Sequence, residues 1–252
     1  MRGCILVFFM MFLWMGCSNP QELKVEQQEY YKKTSLPCQD HQCTEVSIEI
    51  PVVVEPEGAI ATGINQVIFD EIAKIVSFDE LPTLEQGYTS ILDSFIKSYE
   101  DVKRDFPKEG APWEARIKGE VIAKKTSLLS IAINHYVFSG GAHGYRGSQV
   151  YHFNPNTGMR YNTSDLFVDI EGFSKLVEER VREKWNIAPT APINSTGLMF
   201  ENDVFSLPLT IFVYQDSVVA YYNIYEIASY ADGPTEIAFT YDEVRPYMAV
   251  FE

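Results

Sequence analysis

The chain has 252 residues, 46% of them hydrophobic, and carries a formal charge of −15 from 35 acidic and 20 basic side chains. That length holds one sizeable core or two small adjoining ones, and the apolar content excludes a disordered chain. The acidity excludes a free-standing basic face for nucleic acid; it either serves solubility alone or speeds encounter with a cationic protein.

Residues 1–16 read as an export signal, with Arg2 as a short positive region and an apolar run over 5–15. That run is too short for a membrane span, which needs ~20 residues. Gly16-Cys17-Ser18-Asn19 resembles the lipobox of bacterial lipoproteins, although Trp14 stands where leucine is usual. In such proteins the signal is cut before the cysteine and the thiol takes a diacylglycerol. Cys17 is therefore the lipidation candidate, and its acyl chains would be the anchor in the bilayer. The other reading of Cys17 is a processed or buried thiol. The expected location is the cell envelope, on a membrane-anchored lipoprotein facing the periplasm or the cell exterior. The polar stretch that follows completes a lipidated tether over 17–43. Cys4 leaves with the signal, so Cys38 and Cys43, in CQDHQC, form an even pair suited to a short-loop disulfide in an oxidising compartment. A metal site recruiting His41 would lack a fourth ligand and the usual zinc spacing.

Residues 44–54 alternate as a half-buried strand, and Pro51 implies a strand end or an edge. Ile64, Val67, Ile68, Ile72, Ile75 and Val76 form a helical stripe over 61–76. Thr83 with Gln86 makes a capping box that opens a second helix, stopped by Pro107. Two long strands follow, at 113–125 and 126–138; His135 lies in register with Ile133 and Val137 and reads as core. After a glycine-rich loop come a strand at 148–153, an Asn154-Pro155-Asn156-Thr157-Gly158 turn and a short return at 159–161. A helix at 172–185, an irregular surface excursion at 186–203, a hairpin at 207–223, a strand at 235–239 and a closing helix at 242–247 complete the chain. Strands follow strands and helices are segregated, which predicts an α+β fold: a mostly antiparallel β-sheet with helices packed on one face, in two adjoining sheet–helix subdomains. The boundaries expected are 44–135 and 136–252.

The stretch that organises the second half is Gly140-Gly141-Ala142-His143-Gly144. Glycine permits positive φ and close backbone approach, so His143 is held on a loop. GGAHG with the later NPNTG and DLF, and then YEIASYADGPTEIAFTYDEVRPYM, resemble the RsiV-type extracytoplasmic family. That family's domain was long one of unknown function, numbered 3298, with a companion N-terminal domain. Similar domains precede the catalytic domain of PdaC-type peptidoglycan deacetylases. The resemblance spans roughly residues 44–250 and is strongest after Tyr136. It implies an envelope binding module whose partner is a lysozyme-like protein or cell-wall glycan. Neither a sigma-binding segment nor an appended deacetylase domain is expected in this chain.

Two functions compete on the residues. As a binder, the chain would present Gly140, Gly141, His143, Gly144 and Tyr145 beside Tyr225, Glu226 and Tyr230 as one rim; aromatic and acidic rims suit sugar stacking and basic protein partners alike. As an envelope hydrolase, it would use His143 as general base, oriented by Glu226 or Asp165, or Glu226 and Asp232 as a carboxylate pair. No G-x-S-x-G elbow and no HExxH spacing are present, and His143 with His152 has no metal-site spacing. The expectation is therefore a non-catalytic binder, with neither metal nor cofactor. Structural roles for His143, Tyr225, Glu226 and Tyr230, bracing their own loops, compete with both.

Overall fold

The computed structural model describes residues 22–39, 42–78, 81–107 and 110–249. The export signal, Cys17 and His41 lie outside the described residues. Among the described residues no helix is long and apolar enough to cross a membrane.

Among the described residues nine strands form two sheets. The first has the order β1 (Lys24–Lys33), β2 (Glu45–Glu55), β3 (Glu114–Lys124), β4 (Leu129–Phe138), β5 (Tyr145–Phe153), β6 (Arg160–Tyr161). All neighbours are antiparallel except β2 and β3. That parallel pair needs a long crossover, supplied by α1 (Ala59–Val76) and α2 (Tyr88–Asp105). The second sheet is the meander β7 (Thr210–Val213), β8 (Ser217–Tyr222), β9 (Thr235–Thr240), with α3 (Ile170–Lys184) and α4 (Tyr241–Val244) beside it. The fold is α+β in two adjoining subdomains.

Each subdomain has its own core. Ile64, Ile68, Ile72 and Val76 of α1 and Ile91, Leu92, Phe95 and Tyr99 of α2 bury against Val46, Ile48 and Ile50 of β2 and Ile131 and Ile133 of β4. Phe173, Val177 and Val181 of α3 bury against Ile211, Val218, Ala220 and Ile237. The excursion at 186–203 is not a surface feature: Ile187, Ile193, Leu198 and Phe200 are buried in the second core. Their spacing follows neither helix nor strand because the segment is anchored side chain by side chain, as where the Asn194 amide exchanges two hydrogen bonds with Phe200 at 2.9 Å.

The stretch expected to be tether contains β1. Tyr30 packs its ring on Tyr88 of α2 at 5.0 Å, and Thr34 donates to Glu100 at 2.7 Å. Charge hides this strand in the sequence, because β1 is an edge with only one face on the core. Cys38 and Cys43 are joined by a disulfide within the β1–β2 connection. The expected boundary at 135/136 falls inside β4, since β3, β4 and β5 pair continuously across it. Pro51 sits within β2, not at its end. The pairing of β2 with β3 stops at Glu49, and the Pro51 ring lies against Gly119. Local separation from β3 accommodates a residue without an N–H. The Thr83–Gln86 box opens a single 3-10 turn, Leu84–Gln86, before Gly87 at φ 74° leads into α2.

Side-chain alternation explains how the subdomains join. Ile131, Tyr151 and Phe153 face the helices, so Ser130 and His152 face the other way. There the His152 ring lies between Ser130 Oγ, 2.8 Å from Nδ1, and the carbonyl of Ile211 in β7, 2.9 Å from Nε2. At the edge of β5 the Asn223 amide takes the place of a pairing strand. Its oxygen accepts from Ser148 N at 2.8 Å and its NH2 donates to Ser148 O at 3.0 Å.

Candidate functional site

Both glycine-containing loops lie where β5 meets the second subdomain. Gly140 and Gly141 have φ of 107° and 89°, which turns the chain back after β4. Gly144 is needed for another reason: a Cβ there would stand 2.4 Å from the Tyr136 ring. The loop therefore lies flat on Tyr136, whose ring also has the Arg116 and Arg146 guanidiniums 5.4 and 5.6 Å from its centre.

His143 is exposed, and its Nδ1 is 3.1 Å from the Gly144 carbonyl. Its ring stacks on Tyr230 at 4.4 Å, and Tyr230 in turn lies 5.6 Å from Tyr225. The Tyr230 hydroxyl reaches the Gly144 carbonyl at 3.5 Å. His143, Tyr230 and Tyr225 thus form a row of rings across the two loops. Tyr225 adopts φ 66°, a left-handed conformation that L side chains disfavour.

Glu226 holds that geometry. One carboxylate oxygen accepts from Leu209 N and the other from Asn223 N, both at 2.8 Å. The other acids considered beside His143 are engaged in the same way. Asp165 accepts from Asn162 N at 2.7 Å, and Asp232 from Ser229 N at 3.1 Å and Ser229 Oγ at 2.6 Å. Each closes a turn by meeting its backbone donors. A carboxylate fixed on backbone N–H groups is poorly placed to orient an imidazole or serve as a nucleophile.

Tyr145 belongs to the same region. Burial, followed by the charge of Glu226, pushes its phenol pKa up. Its ring lies 5.8 Å from His135. His135 is half-buried and not core as expected, because it lines a hollow beside Ile75, Val137 and Tyr145; its Nδ1 is buried without a hydrogen-bond partner, and burial lowers its pKa. A groove of about 760 Å³ opens beside His143, lined also by Tyr31, Lys33, Trp113 and Tyr136. Another of about 510 Å³ lies beside Tyr145, Tyr225 and Glu226. Among the described residues no group of three or more His, Cys, Asp or Glu side chains could hold a metal ion; His152, instead of pairing with His143, is buried between the sheets.

Residues 38–146 match the family model described as Deacetylase PdaC, and residues 164–242 match that of the protein family of unknown function DUF3298. The two matches stand in tandem along the chain. The fold is shared with solved structures. A DUF3298 family member from Bacteroides fragilis superposes with a TM-score of 0.71 at 17% identity, over 92% of this chain and 96% of its own. A DUF3298 family protein from Pseudomonas aeruginosa PAO1 superposes with a TM-score of 0.64 at 19% identity, over 91% and 96%. Comparison with curated proteins returns no match. The PdaC match ends just after the His143 loop, whereas Tyr225, Glu226 and Tyr230 fall within the DUF3298 match. The ring row therefore crosses between the two regions.

Sequence reasoning missed Gln149, Tyr151, Arg160 and Asn223, which line the groove beside Tyr145, Tyr225 and Glu226. The alternation Tyr145-Gly147-Gln149-Tyr151 was a signal that Gln149 and Tyr151 share a face with Tyr145. Nothing in the sequence marked Asn223 as the partner of Ser148.

Proposed function

We infer that the protein is an exported envelope binding module, anchored through acylated Cys17, that recognises a lysozyme-like protein or peptidoglycan-type glycan without catalysing a reaction on it. The observation that carries this reading is a ring row, His143–Tyr230–Tyr225, whose two outer rings are exposed and whose neighbouring carboxylates Glu226, Asp165 and Asp232 are engaged in closing turns. The row offers flat apolar faces with polar edges, the chemistry of aromatic anchors at sugar and protein interfaces. Glu226, Asp165 and Asp232 support loops, so His143 has no carboxylate among them to orient it as a base. The resemblance to the domains that precede PdaC-type peptidoglycan deacetylases supports a cell-wall setting, and the chain's acidity favours a cationic partner.

Binding of the purified chain to a c-type lysozyme and to insoluble peptidoglycan tests this, with Tyr230→Ala and His143→Ala as variants. Retained folding with binding weakened about tenfold is expected for each ring. Release of soluble fragments or acetate from peptidoglycan, abolished by His143→Ala, would establish the hydrolase instead.

A further inference from the structure

We propose that the trough along β5, between α1 and the Asn223–Glu226 turn, is a binding site for a neutral oligosaccharide. This rests on the envelope-binding reading above and names a ligand class and a place for it.

The floor comes from the alternation of β5. Tyr145, Gly147, Gln149 and Tyr151 share the face towards α1. Gly147 keeps the floor low, because the His135 ring stands 2.4 Å from where its Cβ would be. Glu71 and Ile75 of α1 form one wall; Leu209, Asn223 and Tyr225 form the other. Two hollows, of about 340 and 510 Å³, share Tyr145, Gln149 and Asn223 and make one continuous trough. Such volumes lie within the usual range for small-molecule sites.

The lining chemistry selects the ligand. A sugar ring has an apolar C–H face and a rim of hydroxyls, so it needs exposed aromatic faces beside fixed polar groups. Tyr225 and Leu209 stand at the rim 52% and 88% exposed. The polar groups are held in place: the Tyr151 hydroxyl donates to Glu71 at 3.2 Å, and the Arg160 guanidinium lies 4.7 Å over the Tyr151 ring and 3.5 Å from Glu71. Tyr225 keeps its ring at the rim in a left-handed backbone, a conformation that glycine would adopt without strain.

Charge favours a neutral glycan. Glu71 and Glu226 line the trough, Arg160 already faces Glu71, and the chain carries −15 overall, so a polyanion is repelled. An extended peptide would have to add to the β5 edge, but Ser148 there is already bonded through both its N–H and its carbonyl to Asn223.

Calorimetric titration of the purified full chain with chitohexaose and cellohexaose tests the proposal, with binding to a c-type lysozyme measured in parallel. Binding of at least one hexasaccharide is expected, weakened about tenfold or more by Tyr225→Gly and by Gln149→Ala and unchanged by Lys97→Ala on α2. Tyr225→Gly relieves the backbone while removing the ring, so its thermal midpoint should not fall; Gln149→Ala provides a second variant. Hexasaccharide binding undiminished in both variants overturns the assignment. So does lysozyme binding with no hexasaccharide bound, an outcome that leaves the envelope-binding reading standing. Trough variants that weaken lysozyme binding alone would make the trough a protein-docking surface and also overturn it. No binding to lysozyme, peptidoglycan or hexasaccharide removes both.

Discussion

The Nε2–H of His152 donates to the carbonyl of Ile211 across 2.9 Å, tying the six-stranded sheet to the three-stranded one. The bond fixes the tautomer: with Nε2 protonated, Nδ1 accepts from the Ser130 hydroxyl at 2.8 Å. Both ring nitrogens are satisfied in the neutral form, and burial at 5% exposure disfavours the charged one.

Stability should therefore depend on pH through His152. Burial pushes its pKa from 6.5 down to about 4. The unfolded chain takes up a proton near 6.5 while the native protein does not until about 4, so the contribution is complete above the upper value and is lost as pH falls through the interval. The loss amounts to about 3 kcal/mol by proton linkage. Half-buried His135, also lowered, adds to it with the same sign. Urea unfolding at stepped pH should show a falling midpoint; His152→Gln should be less stable at neutral pH and have a flatter profile.

Glu226→Ala leaves Leu209 N and Asn223 N without their acceptor and should cost about 2–3 kcal/mol, with Glu226→Gln costing less because it retains one oxygen. Thermal denaturation checks the ranking. Glu226→Gln should also reduce partner binding more than its stability loss accounts for, because the turn places Tyr225 and Tyr230.

Gly144→Ala forces a methyl against Tyr136 and should destabilise by about 1–3 kcal/mol, displacing His143 from Tyr230. Pairing it with Tyr136→Ala should recover part of the stability. A double-mutant cycle with no coupling would show that the loop does not rest on that ring.

Replacing Cys38 and Cys43 by serine opens a loop with a sequence separation of 5 and should cost about 2 kcal/mol on the chain-entropy view. Amide exchange should then rise first in Lys24–Lys33, the edge strand next to the bridge.

Local order was legible in the residues. Alternation marked β2, the 3–4 stripe marked α1, Pro107 marked the end of α2, and the glycine run marked the turn that carries His143, since each follows from neighbours a few positions apart. Tertiary structure alone decided that Lys24–Lys33 belongs to the sheet, because a charged edge strand is held by Tyr88 and Glu100, more than fifty residues away in the chain. It alone decided that His143 stacks on Tyr230, that Asn223 completes the edge at Ser148 and that His152 joins the two sheets. Those contacts join segments 59 to 87 residues apart, and no local periodicity records which distant groups will share a hydrogen bond or a ring face.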